Sequence, residues 1–453
     1  MRSSPSRTTG ARREVLRLAW PIVLANSAVP LLGIADAVVV GNTGTSTDLG
    51  AIALGSLVFG FLYWSFGFLR MGTTGFTAQA SGAGDDVEIR ATLGRALLLA
   101  AGIGCALVLL QVPIVRTATV LLSGTAATEE LMQSYFAIRI WGAPASLGIF
   151  ALIGTLVGLG RTRQLLHIQF FLNGLNIALD ILLAGVLGLG VQGIALGTAI
   201  AEWTTLGLAL LSVFTILGRE VTSERPFWPW DRMRDPRKAA HALGANADIM
   251  VRTLFLLGGF AWFTNVGAVL GDDVLAANHV LLQLVTLSAY MLDGYAHATE
   301  ILVGRAFGTG RLPAFDRAVR AATELAALSA GILAVSLLLL GPLMMAGFAD
   351  LSPVREIAGQ FLPLAAAYVA VSFAAFQLDG VFIGAVGTKD MRNASALAFL
   401  VFLGASLVLT AALANLGLWV AFIVYVVARA AALAVRYPRL RSSIGGGVPA
   451  SLP

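Results

Sequence analysis

Charge is scarce in this chain. Only 12% of its 453 residues are Asp, Glu, Lys or Arg, about half the share of a soluble protein. Cysteine is nearly absent: the single Cys105 sits in an apolar stretch, which excludes an intrachain disulfide framework. No H-E-x-x-H, no G-x-S-x-G and no Walker lysine loop occurs, so the usual local signatures of a metalloprotease, a serine hydrolase or a nucleotide hydrolase are missing. No enzyme is expected. Apolar residues take the place of charge, at 57% of the chain with a mean hydropathy of +0.83. They come in long blocks such as Leu325 to Met345 and Ala394 to Ala414. Each block can cross a hydrocarbon layer of ~30 Å at a rise of ~1.5 Å per residue. A soluble enzyme, a DNA-binding protein and a disordered chain are thereby excluded, and the lipid bilayer becomes the first expected partner.

Splitting the apolar pattern at Gly, Pro and charge clusters predicts twelve spans. They cover residues 16–41, 51–78, 91–115, 130–157, 164–187, 191–217, 239–270, 275–303, 314–342, 354–383, 393–415 and 417–437. The fold class expected is an all-α polytopic membrane protein with two pseudo-symmetric six-helix bundles. An N-terminal lobe would occupy 1–217, a cytoplasmic linker 218–238, and a C-terminal lobe 239–453. Arg2, Arg7, Arg12, Arg13 and Arg17 precede an apolar run from Leu18 to Val40. That run is too long for a cleaved leader and reads as an uncleaved first span. Of the 30 Lys and Arg, 24 fall in the termini, the linker and the loops of one side, and only Arg116 and Arg355 in loops of the other. The net charge of +5 therefore reports topology and not a nucleic-acid partner, and both termini are expected in the cytoplasm. Arg70, Arg139, Arg252 and Arg429 lie inside spans.

The two halves repeat. At an offset of 226 residues, Gly33 meets Gly259, Gly41 meets Gly267, Leu49 meets Leu275 and Ala51 meets Ala277. Ala80, Gly82 and Gly84 meet Ala306, Gly308 and Gly310. Ser146, Phe150, Gly154, Gly158 and Thr162 meet Ser372, Phe376, Gly380, Gly384 and Thr388, with Arg163 over Lys389. With six spans per half both repeats begin on the same side, so they are parallel. Such a pair of bundles is the architecture of a transporter that rocks, and a monomer is expected.

Ionisable groups inside spans cost about 3 kcal/mol or more and mark candidate sites. In the first half Asp36, Asp180 and Thr198 fall at similar depth, roughly 8–10 Å below the outer surface. Asn176 lies four residues before Asp180 and shares its helix face. Two carboxylates, an amide oxygen and a hydroxyl make an all-oxygen set that suits Na⁺. Two acids in one low-dielectric site do not both ionise readily, so the set suits H⁺ equally. Glu202 is a further candidate, or an ion-pair partner of a span arginine. Pro21 and Pro30 interrupt the hydrogen-bond ladder of the first span and mark a place to bend. In the second half Asp248, Arg252, Asp293, Glu300 and Asp379 form either a self-neutralising network or a substrate contact. Pro226-Phe227-Trp228-Pro229-Trp230 reads as an interfacial anchor for the linker.

At these residues the chain resembles the multidrug and toxic compound extrusion (MATE) family over about residues 14–440. The resemblance rests on Pro21-Ile22 through Asp36, on Leu49-Gly50-Ala51 with Leu275-Ala276-Ala277, and on Gly304-Arg305-Ala306-Phe307-Gly308. It rests also on the glycine loops that end in Thr162-Arg163 and Thr388-Lys389, and most of all on Asn176, Asp180 and Thr198 opposite Asp36. This last set is similar to the cation site of the DinF-like branch. By that resemblance Asp36, Asn176, Asp180 and Thr198 would bind Na⁺ or H⁺, and Pro21 would be the bending proline. Arg252 stands near the place where the NorM-like branch carries an acid. Ala375 stands where that branch has a Tyr four residues before its acid, here Asp379. The cation site is therefore expected in the N-terminal half.

The resemblance implies a secondary active exporter of small amphipathic or cationic compounds in a bacterial cytoplasmic (inner) membrane. It would be driven by H⁺ or Na⁺ antiport through alternating access, without a cofactor. The alternative is a flippase of lipid-linked oligosaccharide or a related lipid, which belongs to the same superfamily.

Overall fold

A computed structural model of the chain describes residues 5–28, 33, 38–41, 44–122, 124–218, 226–348 and 352–444. Every regular element among them is helical. The chain packs as two compact units: residues 1–23 with 244–453, and residues 24–243. These boundaries differ from lobes divided at 218–238, because two helices run through the divisions. The first helix, α1 (Pro5–Ser27), continues unbroken past Pro21. Its beginning packs with the second half of the sequence, where Arg12 pairs with Glu324 at 2.6 Å.

The unit of residues 24–243 holds α2 (Ser46–Ser65), α3 (Phe68–Ala83), α4 (Asp86–Leu109), α5 (Gln111–Leu121), α6 (Ala126–Arg139), α7 (Ala143–Gly158), α8 (Thr162–Asp180), α9 (Gly190–Leu217) and the short α10 (Trp230–Met233). Polar residues set their starts. Thr45 and Asp48 form a capping box before α2, and Asp85 and Thr125 cap α4 and α6, satisfying amides that the first helical turn leaves open. One buried cluster is aliphatic, with Leu93, Leu152, Leu156, Ile168, Ala209 and Val213 together, and another is aromatic, with Phe59 stacked on Phe136 at 4.9 Å beside the buried Tyr135. Trp228 packs on the aliphatic cluster, and Phe227 and Trp228 meet Phe214 edge-on at 4.7 and 5.7 Å. Of the expected aromatic anchor, then, these two rings bind protein. Glu88 straps the neighbouring segment to α4 by pairing with Arg95, with Lys238 at 2.5 Å and with Arg232 at 3.7 Å.

The other unit is built on α11 (Pro236–Leu270), α12 (Asp272–Thr309), α13 (Leu312–Phe348), α14 (Ser352–Gly384) and α15 (Thr388–Ser442). Its core is aromatic: Tyr368 stacks on Phe422 at 4.6 Å and Trp419 meets Phe263 edge-on at 5.0 Å. The 55 residues of α15 would reach ~80 Å if straight. They fold back at Ala414, whose φ of 49° and ψ of −130° are not helical. Asn278 pins that bend by exchanging amide hydrogen bonds with Asn415 at 2.8 and 3.1 Å and accepting one from the Trp419 indole at 2.9 Å.

Ten helical stretches among the described residues are long and apolar enough to cross a membrane. With α15 counted as two, they account for every expected span except 16–41, which runs across residues outside the described set. Their outward faces are apolar: Leu109 is 82% exposed, Val269 81% and Leu343 75%. This is the inverse of a water-soluble surface and suits a lipid solvent.

The repeat holds at the level of single contacts. A Cβ on Gly154 would stand 2.5 Å from the Arg70 carbonyl, and one on Gly380 would stand 2.5 Å from the Ala296 carbonyl. A Cβ on Gly158 would meet the Thr74 carbonyl, and one on Gly384 the Glu300 carbonyl. Each pair is related by 226 residues, so both halves cross helices at glycine in the same way. The turns after the two glycine pairs also correspond. Gly160 has φ 70° and its counterpart Val386 has φ 57°. A β-branched residue pays about 1–2 kcal/mol in that left-handed region, where glycine pays nothing. Val386→Gly is therefore expected to stabilise the protein by about 1 kcal/mol. Thermal unfolding in detergent would show this, and a lowered midpoint would mean that packing of the half-buried valine outweighs its strain.

Candidate functional site

The amphipathic pattern of α8 turns its polar residues inward. Asn173, Asn176 and Asp180 are all buried, Asp180 completely. Asn176 and Asp180 share one face, as their spacing of four requires. The Asn176 side-chain oxygen is buried without a hydrogen-bond partner, so it is an acceptor still to be satisfied. One turn earlier, Asn173 donates to the Ala28 carbonyl at 3.3 Å, fixing the end of the first helix beside this face. Sequence reading passed over Asn173, although its spacing of three before Asn176 was the available signal.

Asp180 is the last α-helical residue before a six-residue π-helical segment, Ile181–Val186. Within it the Leu187 amide bonds the Leu182 carbonyl at 2.9 Å, five residues back. A π segment widens the helix locally and is found frequently at functional sites. The turn that follows relies on Gly188 (φ 68°) and Gly190 (φ 54°), which lets α9 return directly along α8. There Gly197 faces Asp180: a methyl group on it would stand 2.7 Å from the Asp180 Oδ1. Thr198 is the next residue, 4% exposed, and its hydroxyl donates to the Ile194 carbonyl at 3.0 Å. The hydroxyl oxygen keeps lone pairs for a cation or a proton donor. The structure thus sets Asp180 of α8 against Gly197 of α9, with Asn176 one turn before Asp180 and the buried Thr198 next to Gly197. Asp36 lies outside the described residues, as does Pro30. Pro21 is buried within an unbroken stretch of α1.

Glu202, one turn beyond Thr198, is buried against Gly142, where any Cβ would collide with its carboxylate. It is electrostatically coupled to Arg139. Arg139 in turn bonds the Tyr135 hydroxyl at 2.5 Å and lies over the Phe59 ring at 4.8 Å. The Glu202 Oε2 is buried without a hydrogen-bond partner, and this geometry singles out neither of the two readings open for Glu202, ion-pair partner or ion ligand.

The second-half candidates separate into distinct groups. Asp248 pairs with Arg392 at 2.6 Å and accepts from Thr388 at 3.1 Å. Arg252 pairs with Asp379, and Arg429 stands 3.9 Å from the same carboxylate oxygen. On α12 the His297 Nδ1 lies 2.8 Å from the Asp293 carbonyl and 3.4 Å from its carboxylate.

Comparison with known proteins gives a consistent result. The MatE family model matches residues 21–182 and 249–409, one block in each half. The chain is 36% identical to DNA damage-inducible protein F of Escherichia coli (strain K12) over 432 residues, covering 95% of this chain and 93% of that protein. It is 28% identical over 399 residues to the probable multidrug resistance protein NorM of a Synechococcus species, covering 86% and 84%. An outward-facing structure of a multidrug resistance MATE family transporter matches with a TM-score of 0.85 over 95% of this chain and 96% of that one, at 18% identity. At that identity the likeness is one of fold, the twelve-helix fold expected from the sequence.

Proposed function

The chain belongs to the MatE family, whose members are membrane transporters and not enzymes, and from that premise we propose that it exports small amphipathic, often cationic compounds by antiport with H⁺ or Na⁺. The observation that carries the coupling is the buried oxygen cluster of Asn176, Asp180 and Thr198. A buried carboxylate beside an unsatisfied amide oxygen is poised to bind a small hard cation or a proton. Asp36 would complete the set from the first span. The ion enters from the outer side, where the inward gradient presents it. Binding changes the charge of the site, and the π segment and the proline-containing first helix are the elements able to respond by changing shape. An ion that binds one conformation better than the other shifts the equilibrium between them by that difference alone. Alternating access between the two lobes would then couple ion entry to release of the compound outside. Kinship with a probable multidrug resistance protein supports a broad substrate range. Both termini would lie in the cytoplasm and the protein in a bacterial inner membrane, as the arginine distribution requires.

Dye transport in inverted membrane vesicles tests this reading, with proton and sodium gradients imposed separately. Wild-type protein is expected to move dye only when one of the two gradients is present, and that gradient names the ion. Asp36→Asn is expected to abolish the movement while the protein remains folded. Absence of dye movement by folded wild-type protein would favour the flippase alternative.

A further inference from the structure

One cluster of buried charges in the unit containing residues 244–453 does not cancel internally. Arg252 from α11, Asp379 from α14 and Arg429 from the second part of α15 meet within it, exposed by 6%, 5% and 5%. One guanidinium nitrogen of Arg252 donates to the Asp379 Oδ2, and Arg429 stands 3.9 Å from that same oxygen. Two cations therefore share one carboxylate oxygen. The Nε of Arg252, the Nε of Arg429 and the Oδ1 of Asp379 are all buried without hydrogen-bond partners. The next acid along α11, Asp248, is already held by Arg392 and Thr388. Among the described residues Tyr368 and Tyr425 also lie beside this cluster, and the Tyr425 hydroxyl donates to the Phe255 carbonyl at 3.1 Å.

A network that served only to hold helices together would be neutral, and Arg252 with Asp379 alone would be so. Adding Arg429 leaves one buried positive charge in excess within ion-pair reach, together with two guanidinium edges that lack acceptors. A buried cation without a counter-charge is among the costlier features of a membrane span. Guanidinium groups are also the side chains best shaped to hold a carboxylate or phosphate oxygen pair.

We propose that Arg252, Asp379 and Arg429 form an anion-binding site that takes one singly charged oxyanion group, a carboxylate or a phosphate ester. A single negative charge neutralises the cluster, and its oxygens satisfy the open guanidinium donors. Asp379 keeps the two arginines in place and limits the site to one anionic group. The inference goes beyond the exporter reading and does not depend on it, since its test reads binding to purified protein and not transport.

The test is the melting temperature of the full chain in detergent at constant sodium chloride. It is titrated in one arm with inorganic phosphate and in another with micelles containing phosphatidylglycerol. Wild type, Arg429→Gln, Arg252→Gln and Arg429→Lys are compared, so non-specific stabilisation by phosphate or lipid appears equally in all. The wild type is expected to show a saturable rise in at least one arm. Either glutamine variant should raise the half-saturating concentration at least tenfold, and Arg429→Lys should retain most of the response. A difference seen with phosphate identifies a free anionic compound as able to fill the site, and one seen only with the lipid identifies a headgroup. An equal response in the wild type and whichever glutamine variants fold, or no saturable response by the wild type in either arm, overturns the proposal.

Discussion

Asp180→Asn is expected to abolish gradient-driven efflux and leave the protein folded. The carboxylate is fully buried, with Asn176 one turn earlier on its own helix face and Gly197 against it on the facing helix. Asparagine has the same shape, so the packing against Gly197 survives. What is lost is the negative charge and the ability to take up a proton. Even the outer partners of an ion site are worth ~10–100-fold in affinity, so on the function proposed above, with Asp180 as a charged ligand, the substitution should lower ion-coupled transport by more than about tenfold. Melting in detergent should change little, because the substitution removes a buried charge without opening a cavity. Vesicle efflux measured beside the melting curve checks both halves of the statement. Normal efflux by a folded Asp180→Asn protein would remove Asp180 from the mechanism and move attention to the second half of the chain.

Gly154→Leu and Gly380→Leu are each expected to prevent accumulation of folded protein. At both positions a first side-chain carbon would stand 2.5 Å from a backbone carbonyl of the crossing helix, Arg70 in one half and Ala296 in the other. Backbone cannot rotate away as a side chain can, so the helices must separate along their length. Over-packing a close interface costs about 1–3 kcal/mol for an added methylene or two. A leucine against backbone should cost more than about 3 kcal/mol, a large share of the ~5–15 kcal/mol by which a domain is stable. Gly331→Leu is the control, since nothing lies within 4 Å of a carbon added there. It should be neutral or slightly stabilising, because leucine favours a helix over glycine by up to ~1 kcal/mol. Size-exclusion profiles and melting points of the three variants would check the contrast. A well-folded Gly380→Leu protein would show that the two helix crossings are not equivalent despite the repeat.

The spans were legible in the sequence because membrane-crossing helices bond their backbone internally, and so depend on local composition above all else. The 226-residue repeat was legible for a related reason. A glycine at a close helix crossing is required by a neighbour, and two equivalent neighbours leave two equivalent glycines. The buried acid Asp180 and its companion Asn176 stood out because polar groups in a span are costly and helical spacing alone puts them on one face.

Other features depended on where distant residues meet. Arg429 was visible inside a span, but nothing local says that it shares Asp379 with Arg252, 177 residues earlier in the chain. The bend at Ala414 requires the amide of Asn278, far back in α12. The π segment after Asp180 and the left-handed Val386 follow from how their helices must re-enter the packing, against the local preference of Ile181–Val186 for α-helix and of valine for negative φ. Sequence by itself determined that this chain crosses a membrane as a duplicated helical protein with acids buried in its first half. Only the tertiary structure decided which charges are paired and where the helices yield, because each is settled by a balance between local preference and partners brought from elsewhere in the chain.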